Sequence, residues 1–71
     1  MKVTYKQVGY DKEVYCNKAK TNLIIATALG GGFDIYFNDT KLKYTSYLVD
    51  AKILCESLLI LGVGRNFKEE K

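Results

Sequence analysis

The sequence predicts a single small α+β domain: a four-stranded antiparallel sheet with two helices on one face, in the order ββαββα. Three observations lead there. Residues 33–37 and 42–45 each alternate apolar and polar side chains with the period of a strand, and the turn-forming run Asn38-Asp39-Thr40-Lys41 separates them. Residues 47–61 contain no Gly or Pro, carry apolar residues at helical spacing and stop at Gly62. At 71 residues the chain has room for one hydrophobic core and no more.

Residues 3–8 (Val-Thr-Tyr-Lys-Gln-Val) are rich in β-branched and aromatic side chains and read as the first strand. Gly9-Tyr10-Asp11-Lys12 supplies a turn, because Gly tolerates positive φ and Asp bonds its own backbone. Glu13-Val14-Tyr15-Cys16 then reads as a short second strand. Asn17 is a good N-cap for a first helix over 18–29, which Gly30-Gly31-Gly32 would end. A competing reading places the N-cap at Asp11, uses Tyr10 and Tyr15 as a hydrophobic staple, and runs the helix over 12–29 in a βαββα order.

In the second half Phe33, Ile35 and Phe37 share the inward face, joined by Leu42 and Tyr44 across the turn. Ser46 is the expected N-cap of the second helix. Residues 1–67 are expected to form the domain, and 68–71 a charged, flexible tail. A shift of 29 sets Tyr15 on Tyr44, Asn17 on Ser46, Ile24 on Ile53 and Leu29 on Leu58, which suggests a duplicated ββα unit. Val14 falling on Lys43 breaks the match of inward and outward positions.

Composition narrows the chemistry. At 48% hydrophobic and 27% charged the chain is too apolar for a disordered segment. Its most apolar stretch, 47–63, is broken by Asp50, Lys52 and Glu56, whereas a membrane span needs about 20 nearly uncharged residues. Residues 1–6 lack the apolar stretch of a signal peptide, so a cytoplasmic setting away from membranes is expected. The absence of His removes the commonest general base and metal ligand. Cys16 and Cys55 are far apart with no CxxC spacing and read as two reduced, apolar residues. Asp34, Asp39, Asp50 and Glu56 show no acid–base spacing. Gly30-Gly31-Gly32 would follow a helix and open a strand, the reverse of a phosphate loop. The sequence therefore points away from an enzyme, and no cofactor or metal site is expected.

Two surfaces remain as candidates. On a helical wheel of residues 47–61, Tyr47, Ala51, Leu54, Leu58 and Leu61 form the core face, flanked by Leu48 and Cys55. Val49, Ile53 and Ile60 fall on the opposite side, with Glu56 among them, and Leu59 lies between. Such a helix demands cover on both sides, from a laterally packed first helix or from another protein. Val49, Ile53, Glu56 and Ile60 are thus the expected interface of a homo-oligomer, most simply a dimer. The second surface is the outer sheet face, where Asp34, Tyr36, Lys41, Lys43 and Thr45 would point outward, with Thr4, Lys6 and Tyr15 as further members. Lys6, Tyr36, Lys41 and Lys43 could meet nucleic acid there, and Arg65 beside Gly62 and Gly64 could hold an anion.

The net charge of +3 comes from ten Lys and a single Arg, and so few arginines argue against sequence-specific reading of bases. The function expected is a non-enzymatic, oligomeric binding module acting through protein contacts, of the kind a phage or mobile element uses to inhibit a host protein. That last step rests on small size and on the Lys-, Tyr-, Ile- and Asn-rich composition of AT-rich coding sequence. The alternatives are a nucleic-acid-binding module, or a binder of a small nucleotide-like anion at a subunit interface.

Overall fold

The computed structural model describes residues 1–64. Five strands precede one helix: β1 (Val3–Val8), β2 (Asp11–Cys16), β3 (Ala19–Thr27), β4 (Phe33–Phe37), β5 (Thr40–Thr45) and α1 (Leu48–Ile60). The strands form one antiparallel meander in the order β1-β2-β3-β4-β5, and α1 crosses a single face of it. The fold is α+β, but the expected four strands and two helices become five and one. No helix among the described residues is long and apolar enough to cross a membrane.

The difference lies in residues 18–29. Asn17 does not cap a helix. It and Lys18 both take positive φ (52° and 71°), the geometry of a two-residue hairpin turn whose twist matches the flanking strands. The backbone amide of Asn17 donates to the Lys2 carbonyl (2.7 Å), and the Lys2 amide donates to Asn17 Oδ1 (2.9 Å), so the turn is tied to the start of β1. β3 then alternates, with Thr21, Leu23 and Ile25 buried and Lys20, Asn22, Ile24 and Ala26 on the other face. The glycine run ends no helix; Gly30, Gly31 and Gly32, all at positive φ, carry the chain from β3 into β4. The duplicated ββα unit disappears with the first helix, as does the helix over 12–29.

The core joins Val14, Cys16, Leu23, Ile25 and Ile35 of the sheet to Ala51, Cys55 and Leu59 of α1. Val3, Tyr5, Phe33, Phe37, Leu48, Leu54 and Leu58 close it at the rim. One polar side chain, Thr21, is buried within it. Thr21 sits where the β2–β3 register slips, between Glu13 and Tyr15. Its hydroxyl donates to the Val14 carbonyl (2.7 Å) and accepts from the Leu23 amide (3.2 Å), replacing the ladder bonds that the slip removes.

α1 begins at Tyr47 with no side-chain cap, so Ser46 does not serve as the N-cap. Its C-terminus is a Schellman motif. Gly62 adopts φ +89°, its amide reaches the Leu59 carbonyl (3.0 Å), and the Val63 amide reaches Leu58 (2.8 Å). Gly64 then lies against the core: a Cβ there would stand 2.6 Å from Leu23 Cγ, and its carbonyl accepts the Asn22 amide (2.8 Å). Arg65 and the tail 68–71 lie outside the described residues.

Candidate functional site

The two sides of α1 separate sharply. Ala51, Cys55 and Leu59 are fully buried at helical spacing. Val49 (62% exposed), Ile53 (57%) and Ile60 (72%) run along the opposite side, in line with Glu56. Their spacing of four and seven residues makes a stripe about 16 Å long at a rise of 1.5 Å per residue. The wheel expected Tyr47 and Leu61 in the core and Leu59 outside it. The structure rotates the buried line by part of a turn, leaving Tyr47 and Leu61 exposed and Leu59 buried. Ala51, Cys55 and Leu59 are the helix residues that share the core with Leu23, Ile25 and Ile35.

The flank of the stripe is fixed to β1. The Tyr5 hydroxyl donates to Glu56 Oε2 (3.0 Å), and Lys52 Nζ lies 4.8 Å from the Tyr5 ring centroid. Burial and the Glu56 carboxylate push the Tyr5 phenol above its ordinary value. On the buried side, burial and, to a smaller degree, Glu56 push the Cys55 thiol up to about 11, so it stays protonated and unreactive at neutral pH. Cys16 and Cys55 are both free and buried.

Beside the stripe lies a groove of about 510 Å³. Lys43, Tyr44, Thr45, Ser46 and Tyr47 form one wall and Asp50, Ile53, Leu54 and Ser57 of α1 the other. Lys43 comes to this side because β5 slips against β4 between Ile35 and Tyr36. Lys43 then pairs with buried Ile35, and Tyr44 with Asp34 on the outer face. The expected orientation of β5 is therefore inverted: Leu42 and Tyr44 are exposed rather than inward, and Lys43 and Thr45 lie on the helix side. Tyr44 covers the glycine loop instead. A Cβ on Gly32 would stand 2.1 Å from its hydroxyl oxygen, and that hydroxyl donates to the Gly31 carbonyl (3.1 Å).

The outer sheet face gathers Lys6, Glu13, Ile24, Tyr36 and Lys41 in one row across five strands, with Thr4, Tyr15 and Lys20 beside it. Tyr36, Lys6 and Lys41 thus share a face, and Lys43 does not join them. Acidic groups interleave with the lysines. Lys20 pairs with Glu13 (3.5 Å) and Lys41 with Asp34 (3.4 Å). The Tyr15 hydroxyl donates to Glu13 Oε1 (3.1 Å), and that bond is the main cause of its raised pKa. Lys6, Lys20 and Lys41 share this face with Asp11, Glu13 and Asp34, so among the described residues it has no excess of positive charge with which to track a phosphate backbone.

Reading the sequence alone missed the groove. Lys43, Tyr47, Asp50, Leu54 and Ser57 carry no motif, and only the strand slip and the rotation of α1 bring them together. Comparison with family profiles, curated proteins and solved structures finds no match to this chain.

Proposed function

We propose that the chain is a non-enzymatic protein-binding module whose first partner is a second copy of itself, joined along the outward line of α1. One observation carries the reading: Val49, Ile53 and Ile60 stand in water opposite a helix line that is fully buried. Covering such side chains is worth up to roughly 1.5–3 kcal/mol each. A two-fold partner offers the same stripe with the same length.

Charge supports the antiparallel arrangement. In an antiparallel helix pair equivalent flanks face each other. The register that sets Val49 of one copy against Ile60 of the other therefore brings Lys52 alongside Glu56 of the opposite copy. A contact this short falls at the low end of interface sizes, under ~1,200 Å² in total, and matches a reversible micromolar dimer better than an obligate one.

Sedimentation equilibrium tests the reading. The wild-type chain is expected to approach twice its monomer mass with rising concentration. Ile53→Glu is expected to stay monomeric with unchanged circular dichroism and melting temperature, because Ile53 makes no part of the buried core. A wild-type chain that remains monomeric at millimolar concentration overturns the dimer, as does an Ile53→Glu variant that unfolds at every concentration.

A further inference from the structure

We propose that the free edge of β5 and the flank of α1 beside it form a strand-addition site for an extended segment of a partner protein. That segment sets an acidic residue opposite Lys43 and an apolar residue against Ile53 and Leu54. The site is separate from the helix stripe, although Ile53 borders both.

Two independent features coincide there. Among the described residues β5 pairs only with β4, so its other edge offers unpaired backbone groups there. The groove of about 510 Å³ runs beside that edge, lined by Lys43, Tyr44 and Thr45 at the end of β5 and by Ser46 and Tyr47 in the turn that leads into α1. Backbone bonds to a sheet edge give an added strand its affinity, and pockets for its alternate side chains give it specificity. Here the alternate side chains on the helix side would meet Lys43, the apolar pair Ile53 and Leu54, and the polar rim of Asp50 and Ser57.

Charge decides what kind of strand fits. The ion pairs among the described residues join Lys20 to Glu13 and Lys41 to Asp34, and neither engages Lys43. A second copy is a poor occupant. Two β5 edges related by a two-fold axis perpendicular to the sheet and centred on Lys43 set that lysine against itself, and like charges directly opposite are destabilising. An incoming segment with a carboxylate at that position faces an opposite charge at Lys43, with Asp50 on the other wall of the groove.

The probe is a pair of capped hexapeptides, Thr-Val-Glu-Val-Thr-Val and its counterpart with Lys in place of Glu, titrated into the full chain and followed by amide chemical shifts and hydrogen exchange. The Glu peptide is expected to bind, shifting residues 43–47 and the 50–57 flank and slowing exchange along β5. N-methylation of its alternate amides is expected to abolish binding. Lys43→Glu is expected to reverse the preference between the peptides by about fivefold. Failure of both peptides to bind at millimolar concentration overturns the proposal. So do shifts confined to Val49, Glu56 and Ile60, an unchanged preference in Lys43→Glu, or displacement by the peptide of a second copy from β5. Repeating the titration in Ile60→Glu separates the two readings: the peptide still binds there if the groove stands alone, whether or not the wild-type chain dimerises, and its loss there overturns the groove.

Discussion

The outer face of the sheet and the outer face of α1 are both uncovered, yet they treat their apolar side chains differently. On the sheet, Ile24 and Tyr36 are partly buried. They lie in a cross-strand row with Lys6, Glu13 and Lys41, and the neighbouring rows supply Lys20 and Asp34. Cross-strand neighbours stand about 4.5–5.5 Å apart, close enough for long charged side chains to cover part of the apolar ones. On α1, Val49, Ile53 and Ile60 project from a convex cylinder and diverge, and the charged residues beside them, Lys52 and Glu56, are turned toward Tyr5. An uncovered face thus need not be an interaction face. What distinguishes the helix is that its own neighbours do not shield its apolar line.

The sharpest way to break this contrast compares two adjacent residues of α1. Leu59→Ala is expected to cost about 2–5 kcal/mol at every concentration, because it empties a buried site. Ile60→Ala is expected to leave monomer stability within about 0.5 kcal/mol and to weaken only association. Equal losses in denaturant titrations of dilute protein would erase the distinction between the two lines.

Next in size is a pH effect on the buried line. Burial pushes the folded Cys55 thiol up to about 11, above its ordinary value of 9.0. The neutral thiol is favoured in the fold. Its contribution is complete below about pH 9 and is lost as pH rises toward about 11, a fall on the order of 2–3 kcal/mol. Tyr5 acts in the same direction at still higher pH. Melting curves between neutral and alkaline pH should show the fall, and Cys55→Ala should flatten its lower part.

The smallest effect is expected on the sheet. Glu13→Gln removes the ion pair with Lys20 and weakens the bond from Tyr15, both at partly exposed sites, and should lower stability by less than about 1 kcal/mol. It should leave sedimentation unchanged. A change in oligomeric state on this substitution would move the interface from the helix to the sheet.

Much of the fold was legible because its signals are local. The β1–β2 hairpin, the β4–β5 turn and the stop at Gly62 follow from alternation and from turn residues that act within a few positions. Residues 18–29 misled because Leu23-Ile24-Ile25-Ala26 is a short apolar run, which helix and buried strand share. The β-branched residues Thr21, Ile24, Ile25 and Thr27 were the available signal for a strand, and the turn at Asn17-Lys18 lacked the glycine that usually announces it.

By itself the sequence determined that α1 carries apolar side chains around most of its circumference, since that depends only on composition and a fixed angle per residue. Which line of α1 is buried, and which residues of β5 face it, only the tertiary structure decided. Burial of Leu59 rather than Leu61 depends on which side of the helix meets Leu23, Ile25 and Ile35 in the core. The orientation of Lys43 depends on a one-residue slip against β4, and such a slip moves a side chain to the opposite face without changing the local pattern that a sequence displays.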